Sequence, residues 1–250
     1  MKTTTSLKVL GVIPARLKST RLPEKLIKDI HGKPLIYHTW RRALLAKTLS
    51  HVLIATDSKI IFDLCRSFGA DVLMTRASIQ CGSDRVADAA KKFTKFKPDI
   101  VVNIQGDEPM MPKEAIDRCV MALSKNWHNQ KIVVSTPATP FLHKADIESP
   151  NFVKVVSDKQ GNALFFSRSV IPFPRDPFEA YCKHLGLYVF RADFLQKYVK
   201  LSQTPLEKAE KLEQLRILEN GYDIQVVKGN FRNMEVNTAE ELDRAREMMK

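Results

Sequence analysis

No apolar run in these 250 residues approaches the ~20 consecutive positions that a membrane-spanning helix needs. The opening stretch MKTTTSLKVLGVIPAR has one early lysine and a short apolar run that leads straight into charge. It lacks the long apolar region and small-residue cleavage site of a secretion signal. Cysteine is sparse: Cys65, Cys81, Cys119 and Cys182 lie far apart with no C-x-x-C pair. That spacing suggests neither a zinc site nor a disulfide framework and fits a reducing cytoplasm. Glycine is absent between Gly11 and Gly32, so the loop after the first apolar run is neither G-x-x-x-x-G-K-[ST] nor G-x-G-x-x-G. No internal repeat or low-complexity segment is visible.

What the chain has in excess is positive charge, a formal +12, and it is unevenly spread. The first 125 residues hold 22 basic and 12 acidic side chains, the remainder 18 and 16. Such asymmetry marks a nucleic acid, an anionic membrane surface or an anionic small ligand as partner. The lysines at 91, 92, 95 and 97 read as a solvated surface beside Phe93 and Phe96. Aromatics are not interleaved with cations on exposed strands, as a base-stacking platform requires, so nucleic acid is not expected as a partner.

With 44% hydrophobic residues, the chain can bury a sizeable core as one domain. Strand patterns at 9–13, 51–55, 72–74, 100–104 and 132–135 alternate with helix patterns at 34–45, 58–68, 83–96 and 112–123. This alternation predicts parallel pairing through right-handed crossovers. The second half changes character: a hairpin over 152–157 and 163–167 turning at Gly161, a proline-rich loop IPFPRDPF, strands at 184–190 and 224–227, and helices at 207–219 and 238–249. The expected fold class is therefore α/β, a doubly wound, mostly parallel sheet with a smaller mixed α+β extension.

In open α/β sheets ligands bind beyond the carboxyl ends of the strands. The loop after the first strand carries Arg16, Lys18, Arg21 and Lys25, cations spread widely enough to suit an extended polyanion such as a triphosphate. A solvated basic loop is the plain alternative. The fourth strand ends in VVNIQGDEPMMP, which places a carboxylate where a divalent cation for phosphate chemistry would be held. Asp-Glu-Pro is also a common turn. In the third segment, YCKHLGLYVF, His184 and Tyr188 lie an even number of residues apart and share a face of one strand. Glu210, Glu213 and Gln214 follow at helical spacing, with an ordinary solvated face as the alternative.

At this point the residues match a known family. IPAR…STRLP.K, HGKPLI, ATD, MTR, GSDR, VVNIQGDEP, VKVV, FSRSVIP, KHLGLYVFR, LEQLRILENG and VNTAEEL run over almost the whole chain. The sequence resembles the 3-deoxy-manno-octulosonate cytidylyltransferases, also called CMP-Kdo synthetases. The resemblance implies a Rossmann-like nucleotidyltransferase domain over 1–250, with a nucleotide-binding half at 1–137 and a sugar-binding and dimerisation half at 138–250. It implies transfer of CMP from CTP to the anomeric hydroxyl of the sugar acid Kdo, with Mg²⁺ as cofactor, in the cytoplasm, by a homodimer, for lipopolysaccharide synthesis. Carried over position by position, Arg16 and Lys25 correspond to triphosphate contacts with Arg21 as a helper. Ala15, Arg76, Ser83 and Gln105 correspond to positions near the cytidine. Arg85 corresponds to the cation for the sugar acid, and Gln105, His184, Tyr188, Glu213 and Gln214 to the group that reads its hydroxyls and carboxylate. Asp107 corresponds to the Mg²⁺ ligand, and Arg16, Lys25 and Asp107 form the catalytic set.

Three departures stand out. The family's second metal-ligand aspartate, usually in V-D-T-P-E-D, corresponds to Asn237 in VNTAEEL; the carboxamide offers an oxygen without charge, so metal affinity should fall. SGTER is CGSDR here, which keeps a hydroxyl at Ser83 and an acid at Asp84, and PGKP around the loop lysine is PEKL. Two rival readings follow: a cytidylyltransferase for a modified Kdo-like sugar acid, and a CTP- or sugar-binding homologue whose turnover is impaired by Asn237.

Overall fold

The computed structural model describes residues 7–19, 21–79, 81–176 and 178–250. Residues 1–6 of the opening stretch, Thr20 of the first loop, Gln80 and Pro177 of the proline-rich run lie outside the described residues. The first strand, β1 (Val9–Ala15), sends Val9, Ile13 and Ala15 into one hydrophobic cluster and Leu10 and Val12 into another. A strand buried on both faces reads as an unbroken apolar run, and period-two alternation decides which side each residue fills. A short 3-10 turn, Lys25–Ile27, then leads to a small hairpin of β2 (Asp29–Ile30) and β3 (Lys33–Pro34). His31 and Gly32 form its two-residue turn, both with positive φ, the backbone that tight hairpins demand.

Helix α1 (Leu35–Ala43), β4 (His51–Thr56), α2 (Lys59–Ser67), β5 (Asp71–Met74), α3 (Gly82–Lys92), β6 (Ile100–Asn103) and α4 (Lys113–Lys125) complete the alternating half. Ser58 caps α2 through its side chain, as expected of a residue that satisfies an otherwise orphaned helix N–H. Helix α3 ends at Lys92, short of the expected Phe96, because Phe93 turns to extended backbone, where its ring packs tilted against His51 and edge-to-face against Phe96. The strand order is β5-β4-β1-β6, all parallel. The chain therefore leaves β1 to build one side and returns to build the other. This reversal opens a crevice at the carboxyl ends of β1 and β6.

The second half holds β7 (Ile132–Pro140), α5 (Ala145–Glu148), β8 (Lys154–Ser157), β9 (Ala163–Ser167), β10 (Cys182–His184), β11 (Tyr188–Arg191), α6 (Ala192–Tyr198), α7 (Pro205–Glu210), α8 (Leu215–Glu219), β12 (Asp223–Lys228) and α9 (Ala239–Met248). β7 runs five residues past the expected end at 135, through two prolines. Along one edge it pairs with β12 in parallel; along the other it pairs antiparallel, first with β11 and then with β10. Pro137 falls between the last residue paired to β11, Ser135, and the first paired to β10, Ala138. Its missing N–H therefore costs no rung of the ladder, while its carbonyl still accepts from the Leu185 N–H. The hairpin of β8 and β9 turns through Gly161 as expected. The lysine of VKVV, Lys154, is fully buried, and its ammonium donates to the carbonyls of Ser149, Phe152 and Arg168 at 3.0, 2.7 and 2.5 Å.

Two expectations are corrected. The strand over 184–190 is broken at Leu185–Gly186–Leu187, so His184 and Tyr188 lie on separate strands, β10 and β11. The helix over 207–219 is likewise two helices, α7 and α8, parted at Lys211, which adopts a left-handed conformation. The break folds α8 back so that Arg216 donates to both carboxylate oxygens of buried Glu207, at 2.7 and 2.5 Å. That contact, foremost among the causes, holds the Arg216 guanidinium above its already high range.

Helix α9 is fixed at its amino end by Thr238 and Glu241, which cap each other's backbone. At its other end the Arg246 guanidinium donates to the Asp29 carbonyl at 2.8 and 3.0 Å, and His31 meets the Arg246 carbonyl at 2.6 Å. The last helix thus straps the hairpin that follows the first loop. Among the described residues all four cysteines are free, and no helix is long and apolar enough to cross a membrane.

Removing one member of a buried ion pair strands the other, a loss of roughly 3–5 kcal/mol. Arg216→Met is expected to lower the unfolding free energy by about 3 kcal/mol in urea titrations, and Glu207→Gln in the same background to restore part of it. A loss below about 1 kcal/mol would mean that the pair behaves as a surface contact.

Candidate active site

The crevice beyond β1 and β6 encloses about 830 Å³ and is lined by the first loop and by Arg85, Gln105, Gly106, Asp107 and Asn237. Arg16, Lys18 and Arg21 are exposed along the loop. Lys25 is not, because Leu26 and Ile27 anchor the 3-10 turn in the core and draw the lysine inward. Glu24 makes the bend that allows this, with φ 54° and ψ 32°. A β-carbon in that left-handed region costs about 1–2 kcal/mol, and it falls at the position where PEKL replaces PGKP.

The loop after β6 closes the opposite wall. Gly106 lies against β1 so tightly that an added β-carbon would sit 3.0 Å from the Pro14 carbonyl oxygen. The Thr39 hydroxyl fixes the Gly106 carbonyl at 2.9 Å. Asp107 therefore faces Lys25, and its Oδ2 accepts from Nζ at 2.5 Å. The Lys25 ammonium also donates to Asn237 Oδ1 at 3.0 Å, and Arg21 donates to the same oxygen at 2.7 Å. The Val236 N–H bonds the Asp107 carbonyl, and the Asn237 N–H bonds Glu241 of α9 at 2.6 Å, which holds the carboxamide in place. Behind this knot Glu108 is buried with one carboxylate oxygen unpartnered. Burial, then the charges of Glu235 and Asp107, push its carboxyl well above the usual range.

A second group sits beside the crevice. The His184 ring lies 5.4 Å from that of Tyr188 and 5.0 Å from Phe166. His184 Nε2 meets the Thr136 hydroxyl at 2.8 Å, and that hydroxyl donates its one hydrogen to the Leu187 carbonyl at 2.7 Å. Nε2 must then be the protonated nitrogen, which leaves Nδ1 as an acceptor. Burial drives the imidazole pKa down to about 3. The Tyr188 hydroxyl donates to Gln214 Oε1 at 3.0 Å, and the Gln214 Nε2 is buried without a partner. Glu213, just before α8, accepts from Ser83 at 2.8 Å and from the Cys81 thiol at 3.2 Å. Gln105 joins the two groups. Gly186 approaches it so closely that an added β-carbon would lie 3.4 Å from Gln105 Cγ and 3.1 Å from Glu108 Oε1.

Most of the expected residues are thus gathered, though not all as foreseen. Arg16, Arg21, Lys25, Arg85, Gln105, Asp107 and Asn237 line the crevice, with Ala15 buried at the end of β1. His184, Tyr188, Glu213 and Gln214 cluster around Gly186 and Ser83. Arg85 is fully buried, and its guanidinium meets Asp57 at 2.8 Å, the Ile79 carbonyl at 3.0 Å and the Thr75 hydroxyl. It braces the wall rather than presenting a free charge. Arg76 is 72% exposed, 3.8 Å from Asp88, and does not line the crevice. The sequence reading missed Glu108 and Gly186. A glycine inside an apparent strand signals close backbone approach, so Gly186 carried a signal; the burial of Glu108 carried none.

The family model described as cytidylyltransferase matches residues 10–224. The chain is 44% identical over 244 residues to the 3-deoxy-manno-octulosonate cytidylyltransferase of Chlorobium limicola, covering 96% of each chain. It is 44% identical over 245 residues to the enzyme of the same name from Solibacter usitatus, covering 97% of this chain and 95% of the relative. A solved structure of CMP:2-keto-3-deoxy-manno-octonic acid synthetase complexed with CTP superposes with a TM-score of 0.89 at 36% identity, covering 97% of this chain and 98% of that one.

Glu24→Gly removes the strained β-carbon and is expected to raise stability by about 1 kcal/mol, read as a higher thermal midpoint; no change would show that the bend is unstrained. A second expectation concerns pH. Folded His184 stays neutral down to about pH 3, while the unfolded chain takes up a proton near 6.5. The unfolded state binds more protons within that window, so stability falls as pH drops through it. Urea midpoints should decline with acidification, and less steeply for His184→Gln.

Proposed function

The chain belongs to the cytidylyltransferase family, and from that premise we propose that it transfers CMP from CTP to the anomeric hydroxyl of 3-deoxy-D-manno-octulosonate, releasing pyrophosphate. The observation that carries this reading is the Lys25–Asp107–Asn237 knot inside a cation-lined crevice at the sheet's switch point. In the reaction the sugar oxygen bonds to the α-phosphorus as the α–β bridging bond breaks and its electrons leave with pyrophosphate. The hydroxyl proton departs to solvent or base. Such a transfer asks the protein mainly for alignment and for charge neutralisation.

Arg16, Arg21 and Lys25 grip the triphosphate, and Gln105 stands where nucleotide and sugar meet. His184 offers Nδ1 as an acceptor to a sugar hydroxyl, and its low pKa keeps that lone pair free at neutral pH. The unpartnered Gln214 amide and the Tyr188 hydroxyl provide further polar contacts for a polyhydroxylated acid. Ser83 and Ala15 stay assigned to the cytidine side, and Arg76, which stands outside the crevice, would have to swing inward from Asp88 to join them. Arg85 can reach a sugar carboxylate only by loosening its hold on Asp57.

The donor set suits Mg²⁺. Asp107 Oδ2 and Asn237 Oδ1 converge on a single cationic nitrogen. Mg²⁺ takes hard oxygens, keeps several waters and needs only one or two protein carboxylates beside the phosphates. When bound, it supplies charge neutralisation and acidifies the attacking hydroxyl. Among the described residues no group of three or more histidine, cysteine, aspartate or glutamate side chains could hold a metal alone, so Mg²⁺ held by Asp107 and Asn237 would need further oxygens from phosphate or water.

The half over 1–137 serves the nucleotide and the half over 138–250 the sugar. Leu142, Leu164 and Phe173 are 79, 63 and 84% exposed in that second half, and a second copy of the chain, making a homodimer, would cover them. Free thiols suit a cytoplasmic enzyme, and the product suits lipopolysaccharide assembly.

Pyrophosphate release measured with CTP, a panel of sugar acids and stepped Mg²⁺ tests the reading. Turnover with Kdo is expected to exceed that with other sugar acids. Asp107→Ala should cost on the order of 10²-fold or more in kcat/KM. Asn237→Asp should lower the Mg²⁺ needed for half-maximal rate. Preference for a substituted sugar acid would shift the assignment to a modified Kdo, and no turnover at any Mg²⁺ concentration would overturn it.

A further inference from the structure

Lys25 has 11% of its side chain exposed and cannot stand without an anion beside it. The partners it holds, Asp107 Oδ2 at 2.5 Å and Asn237 Oδ1 at 3.0 Å, are the two oxygens assigned above to the divalent cation. An ammonium and a metal ion drawn to the same Asp107 oxygen would repel one another at short range, so the two compete for that seat. We propose that Lys25 is a resident counter-ion that keeps the metal seat closed until the triphosphate arrives, so that nucleotide and metal enter the crevice as a coupled pair. The inference rests on the metal placement proposed above and adds a role for Lys25 that phosphate contact alone does not imply.

The exchange of partners follows from charge. In the nucleotide-free enzyme a metal that takes Asp107 leaves Lys25 buried and opposed by a divalent charge, with Arg21 close by on Asn237. The triphosphate changes the balance. It lies along the loop that carries Arg16 and Arg21 and offers Lys25 several anionic oxygens in place of one, while it brings negative charge beside Asp107 that only a cation can relieve. Lys25 then leaves Asp107 for phosphate as the metal takes the carboxylate. Asn237 assists because it is uncharged: its carbonyl accepts from Lys25 and Arg21 without holding either as firmly as a carboxylate would.

The test measures Mn²⁺ binding to nucleotide-free protein by the electron paramagnetic resonance of the free ion, so that catalysis is not involved. Native protein, Lys25→Met, Lys25→Gln and Lys25→Met/Asp107→Asn are compared after circular dichroism confirms folding; the glutamine variant keeps a hydrogen-bond donor should methionine disturb the loop. Neutralising Lys25 should tighten Mn²⁺ binding on the order of tenfold, the size expected for one charge-assisted contact, and Asp107→Asn should abolish the gain. Lysine variants that bind Mn²⁺ no better than native overturn the closed-seat role. If native protein then still gains a Mn²⁺ with CTP and loses it with Asp107→Asn, the metal placement survives alone. If Asp107→Asn leaves binding in Lys25→Met intact, the metal lies elsewhere and both ideas fall.

Discussion

A lysine ammonium that is almost fully withdrawn from water must be answered by oxygen atoms at short range, and in this molecule that contact joins three distant parts of the chain. Lys25 sits on the loop after β1, Asp107 on the loop after β6, and Asn237 just ahead of α9. The two acceptors are held by backbone that has little room to shift: Gly106 against the Pro14 carbonyl and Val236 on the Asp107 carbonyl for the one, Glu241 on the Asn237 amide for the other. The crevice keeps its shape because the charges inside it are balanced, and they are balanced because the parallel sheet sets the two loops side by side.

The same economy of charge explains the acids behind the cations. Four basic residues on one short loop would repel one another without compensation. Asp107 and Glu235 supply it at close range, and Glu108 is buried deeply enough that its carboxyl shifts toward the neutral form. The crevice therefore retains an outward positive field from Arg16, Lys18 and Arg21, which favours the approach of a polyanion. The neighbouring cluster around His184 works on a different principle. Its groups are largely neutral, fixed by short hydrogen bonds, and suited to distinguishing hydroxyl positions rather than to attracting charge.

Much of this was legible in the sequence, in uneven measure. The apolar runs that became β1 and β6 announced themselves, as did the cationic loop and the strand-terminal Asp107, because burial on both faces and position at a strand end leave marks in a single stretch. The prolines in β7 hid five strand residues, since their tolerance depends on which partner strand stops beside Pro137. The break at Lys211 was invisible because no glycine marks it, and the contact of Arg216 with Glu207 that accompanies it spans nine positions. His184 and Tyr188 do come together, yet through a bend at Gly186 and not along a continuous strand. The contact between Asn237 and Lys25, 212 positions apart, left no local trace at all, and a buried Arg85 read as a free one because nothing nearby in sequence names Asp57 as its partner.

The strap formed by α9 has a consequence for how the protein comes into being. During synthesis the sheet and first loop emerge long before residues 233–250, and domains begin to order from the amino end as the polypeptide leaves the ribosome. Until the final helix docks on the Asp29 carbonyl and His31, Lys25 and Asp107 lack their third companion. A nascent chain thus lacks one wall residue of the crevice for nearly its whole period of translation, and a molecule clipped near its carboxyl end would lose Asn237 from that wall while keeping the rest of the lining.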